Sequence, residues 1–162
     1  MPATHRARVE ALLSEAASEH ARLISRMPPD LRASVPVDAQ CVTEAIDHLA
    51  AAAGLSATDR RALVRPHAVN PAVLHARVFG AAPLTRETVI ASFVEGARVR
   101  ADALTALADA IGGDALGQEV RSLLIAHPPP TGSDEGDVVA LQATYAAHER
   151  AAVAIAARLD AA

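Results

Sequence analysis

The 162-residue chain has no lysine, no tryptophan, a single cysteine and only three aromatic side chains, Phe79, Phe93 and Tyr145. Each shortage excludes something. With Cys41 alone, no intrachain disulfide can form, and a lone helical cysteine packs as a small hydrophobe. No uninterrupted apolar run reaches the roughly 18 residues that suggest a membrane span. The N-terminal stretch MPATHRARVE lacks the apolar segment of a secretory signal. These absences predict a soluble chain in the reducing cytoplasm, with no membrane partner. Basic residues are not in surplus either: the net charge is −4 and the pI about 5.9. A general nucleic-acid binder would show a basic face, so no nucleic-acid partner is expected. The short cluster Arg60, Arg61, Arg65 and His67 reads as a solvated helix end.

What remains is apolar and aliphatic. Hydrophobic residues make up 51% of the chain. Many of them are alanine, the strongest helix former. Length and composition together predict one domain, all-α, with a lean core of Leu, Val, Ile and Ala.

Helix punctuation is legible along most of the chain. A first helix is predicted from Thr4 to Arg26, with the stripe Val9, Leu12, Leu13, Ala16, His20, Leu23, Ile24 and Met27. Pro28 and Pro29 end it. Asp38 is the N-cap candidate for a second helix reaching Ala53, with Gly54 at C′. Its buried face combines the row Val42, Ile46, Leu49, Ala53 with the row Cys41, Ala45, His48, Ala52. Leu55 to Pro83 reads as a crossover with short helices. Ser56 and Asp59 resemble a capping box there, Pro66 closes that helix, and Asn70-Pro71 opens another that Gly80 closes.

Thr85 caps a long third helix to Ile111, with the stripe Ile90, Phe93, Ala97, Ala101, Leu104, Ala108, Ile111. Gly112-Gly113 breaks it, and a shorter helix runs from Ala115 to Ala126. A loop with Pro128 to Pro130 precedes the last helix, Asp137 to Leu159. That helix has the cleanest periodicity: Val138, Leu141, Tyr145, His148, Ala152, Ile155, Leu159, in alternating steps of three and four. Four main helices with one long crossover fit an antiparallel four-helix bundle.

Three histidines fall on predicted inner faces of three helices: His20, His48 and His148. Neutral imidazole suits zinc, nickel, copper or iron, and bundle cores assemble such ligands from facing helices. The plainer reading of each is a hydrogen-bonded core residue. Glu44 and Asp47 stand beside His48 and could orient its ring, or simply be surface acids. Tyr145, one turn before His148, is the candidate donor to a substrate or metal-bound group; its plainer role is packing with the hydroxyl on a rim partner. Glu-x-x-His, His-x-x-x-His, Cys-x-x-Cys, P-loop, Rossmann and nucleophile-elbow motifs are all absent.

Three segments carry a resemblance to a known family. CVTEAIDHLAAAAG looks like the second helix of the DinB/YfiT-like superfamily of helical bundles, with His48-Leu49 where a ligand histidine is followed by leucine. LTRETVIASFVEGARVRADALTALADAIGG looks like its long third helix, with Arg98 where an arginine is common. TYAAHERAAVAIAARL looks like its fourth. The family's fourth helix carries His-x-x-x-His; here the matching positions hold His148 and Ala152. Gln40 and Cys41 stand where a tryptophan often opens the second helix.

The resemblance implies a metal site with His48 and His148 as ligands and His20 or a carboxylate in place of the missing histidine. It implies a divalent cofactor (zinc, nickel or iron) and thiol-dependent transfer or isomerisation on a small-molecule or thiol substrate. The alternative is a non-catalytic bundle serving as a binding or dimerisation module, in which the histidines only hold the core. Ala152 in a ligand position favours that alternative.

Overall fold

The computed structural model describes residues 2–36, 42–64, 85–131 and 135–162. Every regular element among them is helical: α1 (His5–Ser25), α2 (Pro29–Arg32), α3 (Val42–Ala52), α4 (Ala57–Val64), α5 (Arg86–Ala126) and α6 (Glu135–Ala161). None of these helices is long and apolar enough to cross a membrane.

The predicted punctuation acts through the expected bonds. The Thr4 hydroxyl accepts the Ala7 amide at 3.1 Å and starts α1. Pro28-Pro29 ends α1, but Pro29 also sits at the first position of α2, a short helix the sequence reading did not separate. The reason is that proline blocks a helix behind it and suits one ahead of it. Gly54, at φ 85°, closes α3: its own amide donates to Ala51 and the Leu55 amide to Ala50. The Ser56–Asp59 box opens α4, with the Asp59 amide donating to the Ser56 hydroxyl at 3.1 Å. The Asp38 cap, Cys41, and the predicted short helix from Asn70 to Gly80 with the Pro66 stop lie outside the described residues.

The break at Gly112-Gly113 is a sharp turn inside α5. Gly113 has φ 63° and ψ −154°, a conformation essentially confined to glycine. Asp109 and Arg121 are ion-paired, although twelve residues of straight helix would hold them about 18 Å apart. The arm after Gly113 is therefore folded back on the arm before it. Gly117 makes the close approach possible, because a Cβ there would collide with the Asp109 carboxylate. Replacing Gly113 with alanine is expected to cost about 1–3 kcal/mol of folding stability, read as a lower urea midpoint with an unchanged slope.

α1 runs antiparallel to α6. Near the end of α6, the Asp160 carboxylate accepts the amides of His5 at 2.8 Å and Arg6 at 3.0 Å, at the start of α1. A carboxylate there satisfies orphan amides and complements the positive end of the helix dipole. α3 packs against α1, α5 and α6, and the long arm of α5 pairs with α6.

The heptad row of α6 faces inward: Leu141, Tyr145, His148, Ala152 and Ile155 are all buried. Alanines 45, 50, 97, 103, 108, 147, 151 and 156 are buried too, so the helices meet over small side chains. The apolar core is split. One cluster holds Val9, Leu13, Ile46, Leu49, Leu104, Leu107 and Ile155. The other holds Val35, Ile90, Phe93, Val94, Leu141 and Tyr145.

Candidate functional site

The split in the core has a cause. Along α1, His20 lies between Leu13 of the first cluster and Ile24, which packs on the second. Along α5, Arg100 lies between Ala97 and Ala103; along α6, His148 lies between Tyr145 and Ala151. All three side chains are buried, Arg100 completely. A polar layer thus divides two apolar ones.

The geometry of this layer centres on two aromatic rings. The Tyr145 hydroxyl donates to the Phe93 carbonyl at 2.8 Å. The Arg100 guanidinium lies over the Tyr145 ring, 4.6 Å from its centroid. His148 meets the edge of Tyr145, with centroids 5.8 Å apart, and His20 meets Phe93 in the same T-shaped way at 6.3 Å. Edge-to-face pairs of this kind add to burial. A guanidinium over a ring and away from water is worth about 2 kcal/mol or more. Arg100 was missed in the sequence reading, although it stands three residues after Ala97 and four before Leu104, on the buried stripe. Arg98, where the family has an arginine, is instead half-exposed and paired with Glu95 at 3.6 Å.

His48 is elsewhere. Its Nε2 is 3.2 Å from Nδ1 of His5, at the start of α1. Since Asp160 meets that same helix start, His148 lies twelve residues further along α6, about 18 Å by helical rise. His20 lies fifteen residues along α1, about 22 Å away. The structure brings His20, His148 and Tyr145 into one region and puts His48 at the end of the molecule. Among the described residues, no group of three or more His, Cys, Asp or Glu side chains is placed to hold a metal ion. The ligand set implied by the resemblance, His48 with His148 and His20, does not fit one ion in this arrangement. A guanidinium beside Tyr145 and His148 also opposes a second cation there.

Around His48 the surroundings are wetter. A cleft of about 470 Å³ is lined by Arg8, Glu44, Asp47 and His48, with Leu12 and Thr43 behind them. Glu44 is exposed; Asp47 is paired with Arg60 of α4 at 3.4 Å. Burial holds the His48 pKa below the usual 6.5, helped by the nearby charges of His5 and Arg8 and opposed by Asp47. The Asp160 carboxyl is held below the usual 3.8 chiefly by the Arg6 amide; desolvation opposes this, and the His5 amide and charge add to the lowering.

Both shifts act in the same direction on stability. Folded His48 holds a proton less tightly than unfolded His48, so protonation favours unfolding once the pH drops below 6.5 and on through the lower folded value. Folded Asp160 likewise loses its contribution only in stronger acid, below 3.8. Urea midpoints should therefore fall between pH 7.5 and pH 5.5, and His48→Gln should flatten that slope while leaving the fall below pH 4.

Compared with family models, curated proteins and solved structures, the chain matches none.

Proposed function

We propose that the chain is an antiparallel four-helix bundle of DinB-like architecture that works as a non-catalytic binding module. The separation of His48 from His148 carries this reading. A catalytic metal centre of the kind the resemblance implies needs three protein ligands and one open position around a single ion. Helices α1, α3, α6 and the long arm of α5 are packed so that these ligands lie on different levels. Tyr145, the candidate donor, has its hydroxyl on a main-chain carbonyl in the core. The inward polar side chains therefore act as a layer that sets helix register, a role buried polar groups have in other bundles.

The surface supports the same reading. A trough of about 510 Å³ between α1 and α6 has Leu13, Ala146, Val153 and Ala154 on its floor, with Glu149 and Arg150 at its edge. Small floor residues let a partner helix approach closely, and edge charges orient it, as in helix-in-groove recognition. A second copy of the chain is the partner the module would take.

Sedimentation of the wild type and of Ala154→Arg tests this. Concentration-dependent dimerisation that Ala154→Arg removes, with helicity and melting unchanged, is the expected result. A strict monomer whose thiol-transfer activity disappears in His148→Ala would reverse it and restore the metalloenzyme.

A further inference from the structure

We infer that two copies of the chain pair antiparallel through an outer seam of α6, about a two-fold axis at the level of His148. The inference rests on the binding-module reading and adds to it the direction and register in which the copies meet. It starts from a second heptad row on α6. Val139, Ala143, Ala146, Arg150, Val153 and Ala157 follow one another in steps of four, three, four, three and four. They share the face opposite the buried row through Tyr145 and His148, and none of the six is buried. The last four line the trough between α1 and α6. Val139 carries the row beyond the trough and is 72% exposed, a degree of exposure that among the described residues only Ile125 matches for a large apolar side chain. A row of this period, held over five steps, is what a partner helix packs along.

The order of large and small side chains along the row sets the direction. In a parallel pair every residue would face its own equivalent. Arginine would then meet arginine, and alanine would meet alanine across a gap. In an antiparallel pair centred at the level of His148, Val139 falls against the partner's Ala157, Ala143 against the partner's Val153, and Ala146 against the partner's Arg150. The two-fold axis repeats each pairing once more. Every larger side chain on the seam thus meets an alanine, and no layer is left empty or overfilled.

Charge agrees with the same register. Glu149 stands next to Arg150 on the trough. Near the axis, the stem of each Arg150 crosses the partner's Ala146, and its guanidinium comes within reach of the partner's Glu149. The two arginines nearest the axis are therefore each offset by an opposite charge. One basic residue on an otherwise apolar seam fixes register at some cost in affinity. Because size and charge are both self-complementary about one axis, the seam fits a second copy of this chain and not an arbitrary helix.

The experiment joins disulfide trapping, in a Cys41→Ser background, to sedimentation. Chains with Val139→Cys mixed with chains with Ala157→Cys are expected to cross-link to each other under mild oxidation, and neither alone to itself. The two positions are about 27 Å apart along one helix, so each cysteine can reach the other only in a second copy. Val139→Glu and Arg150→Glu should each weaken dimerisation by about tenfold or more. Ile125→Glu, as exposed but off the seam, should leave it unchanged. All three sites are exposed, so the variants keep their core, which circular dichroism checks. A dimer that Ala154→Arg removes, but in which Val139→Cys cross-links to itself or Val139→Glu has no effect, overturns the antiparallel seam and leaves the binding-module reading standing. A wild type that stays monomeric at every concentration overturns both.

Discussion

Truncating Tyr145 to alanine is expected to lower the folding free energy by about 3–5 kcal/mol, whereas Tyr145→Phe should cost only about 1–1.5 kcal/mol. The ring is wholly buried and touches Phe93, Arg100 and His148 in turn. Alanine removes the surface on which the guanidinium lies and leaves a cavity at the junction of the two apolar clusters. Phenylalanine keeps the ring and deletes one hydrogen bond. The Phe93 carbonyl it leaves behind belongs to a helix and keeps its main-chain partner, so the second loss stays small. Without tryptophan, the unfolding curve is best followed by circular dichroism in urea. If the two variants lie within about 1 kcal/mol of each other, the ring does not hold the core as described. A catalytic Tyr145 would give the opposite pattern, with Tyr145→Phe intact in stability and deficient in activity.

Most of the helical framework could be read from residue pattern because it depends on local chemistry. Thr4, Gly54, the Ser56–Asp59 box and Gly112-Gly113 each act within a few residues of themselves, and each does so in the structure. The heptad row of α6 was legible for the same reason: a period of three and four fixes one face whatever it packs against. Levels along the bundle were not legible. Whether His48 faces His148 or His5 depends on where α3 stands relative to α1 and α6, and that is set by contacts between residues far apart in sequence. His5 carried no signal of its own, since its ring partner is 43 residues away and its amide partner, Asp160, 155 away. The direction of α5 after Gly113 belongs to the same class. The glycine pair announces a break but not that Asp109 meets Arg121 across it.

The two groups of histidines thus differ in kind. His20 and His148 belong to a buried layer whose value is in packing and register. His5 and His48 belong to a half-exposed edge where their ring nitrogens meet at 3.2 Å. A single mutational scan separates the groups: alanine at His20 or His148 should lower stability more than alanine at the half-exposed His5 or His48.

Arg100 gives the second large effect. Arg100→Ala is expected to cost about 3–5 kcal/mol, combining a cavity with the loss of a desolvated cation from an aromatic face. A buried arginine is not simply a misplaced charge. Its stem fills space between the two clusters, and its planar head covers Tyr145. Arg100→Met retains most of the volume and removes the charge, so it should lose at least 1 kcal/mol less than alanine. With total stability of a domain at about 5–15 kcal/mol, a doubly truncated variant would approach unfolding. The coupling is therefore better measured with the milder pair Arg100→Met and Tyr145→Leu. Their combined cost should fall short of the sum of the single costs by about 0.5–2 kcal/mol, because each single change already removes the stacking. Strict additivity would show that the guanidinium and the ring contribute independently, and the polar layer would then owe its place to volume alone.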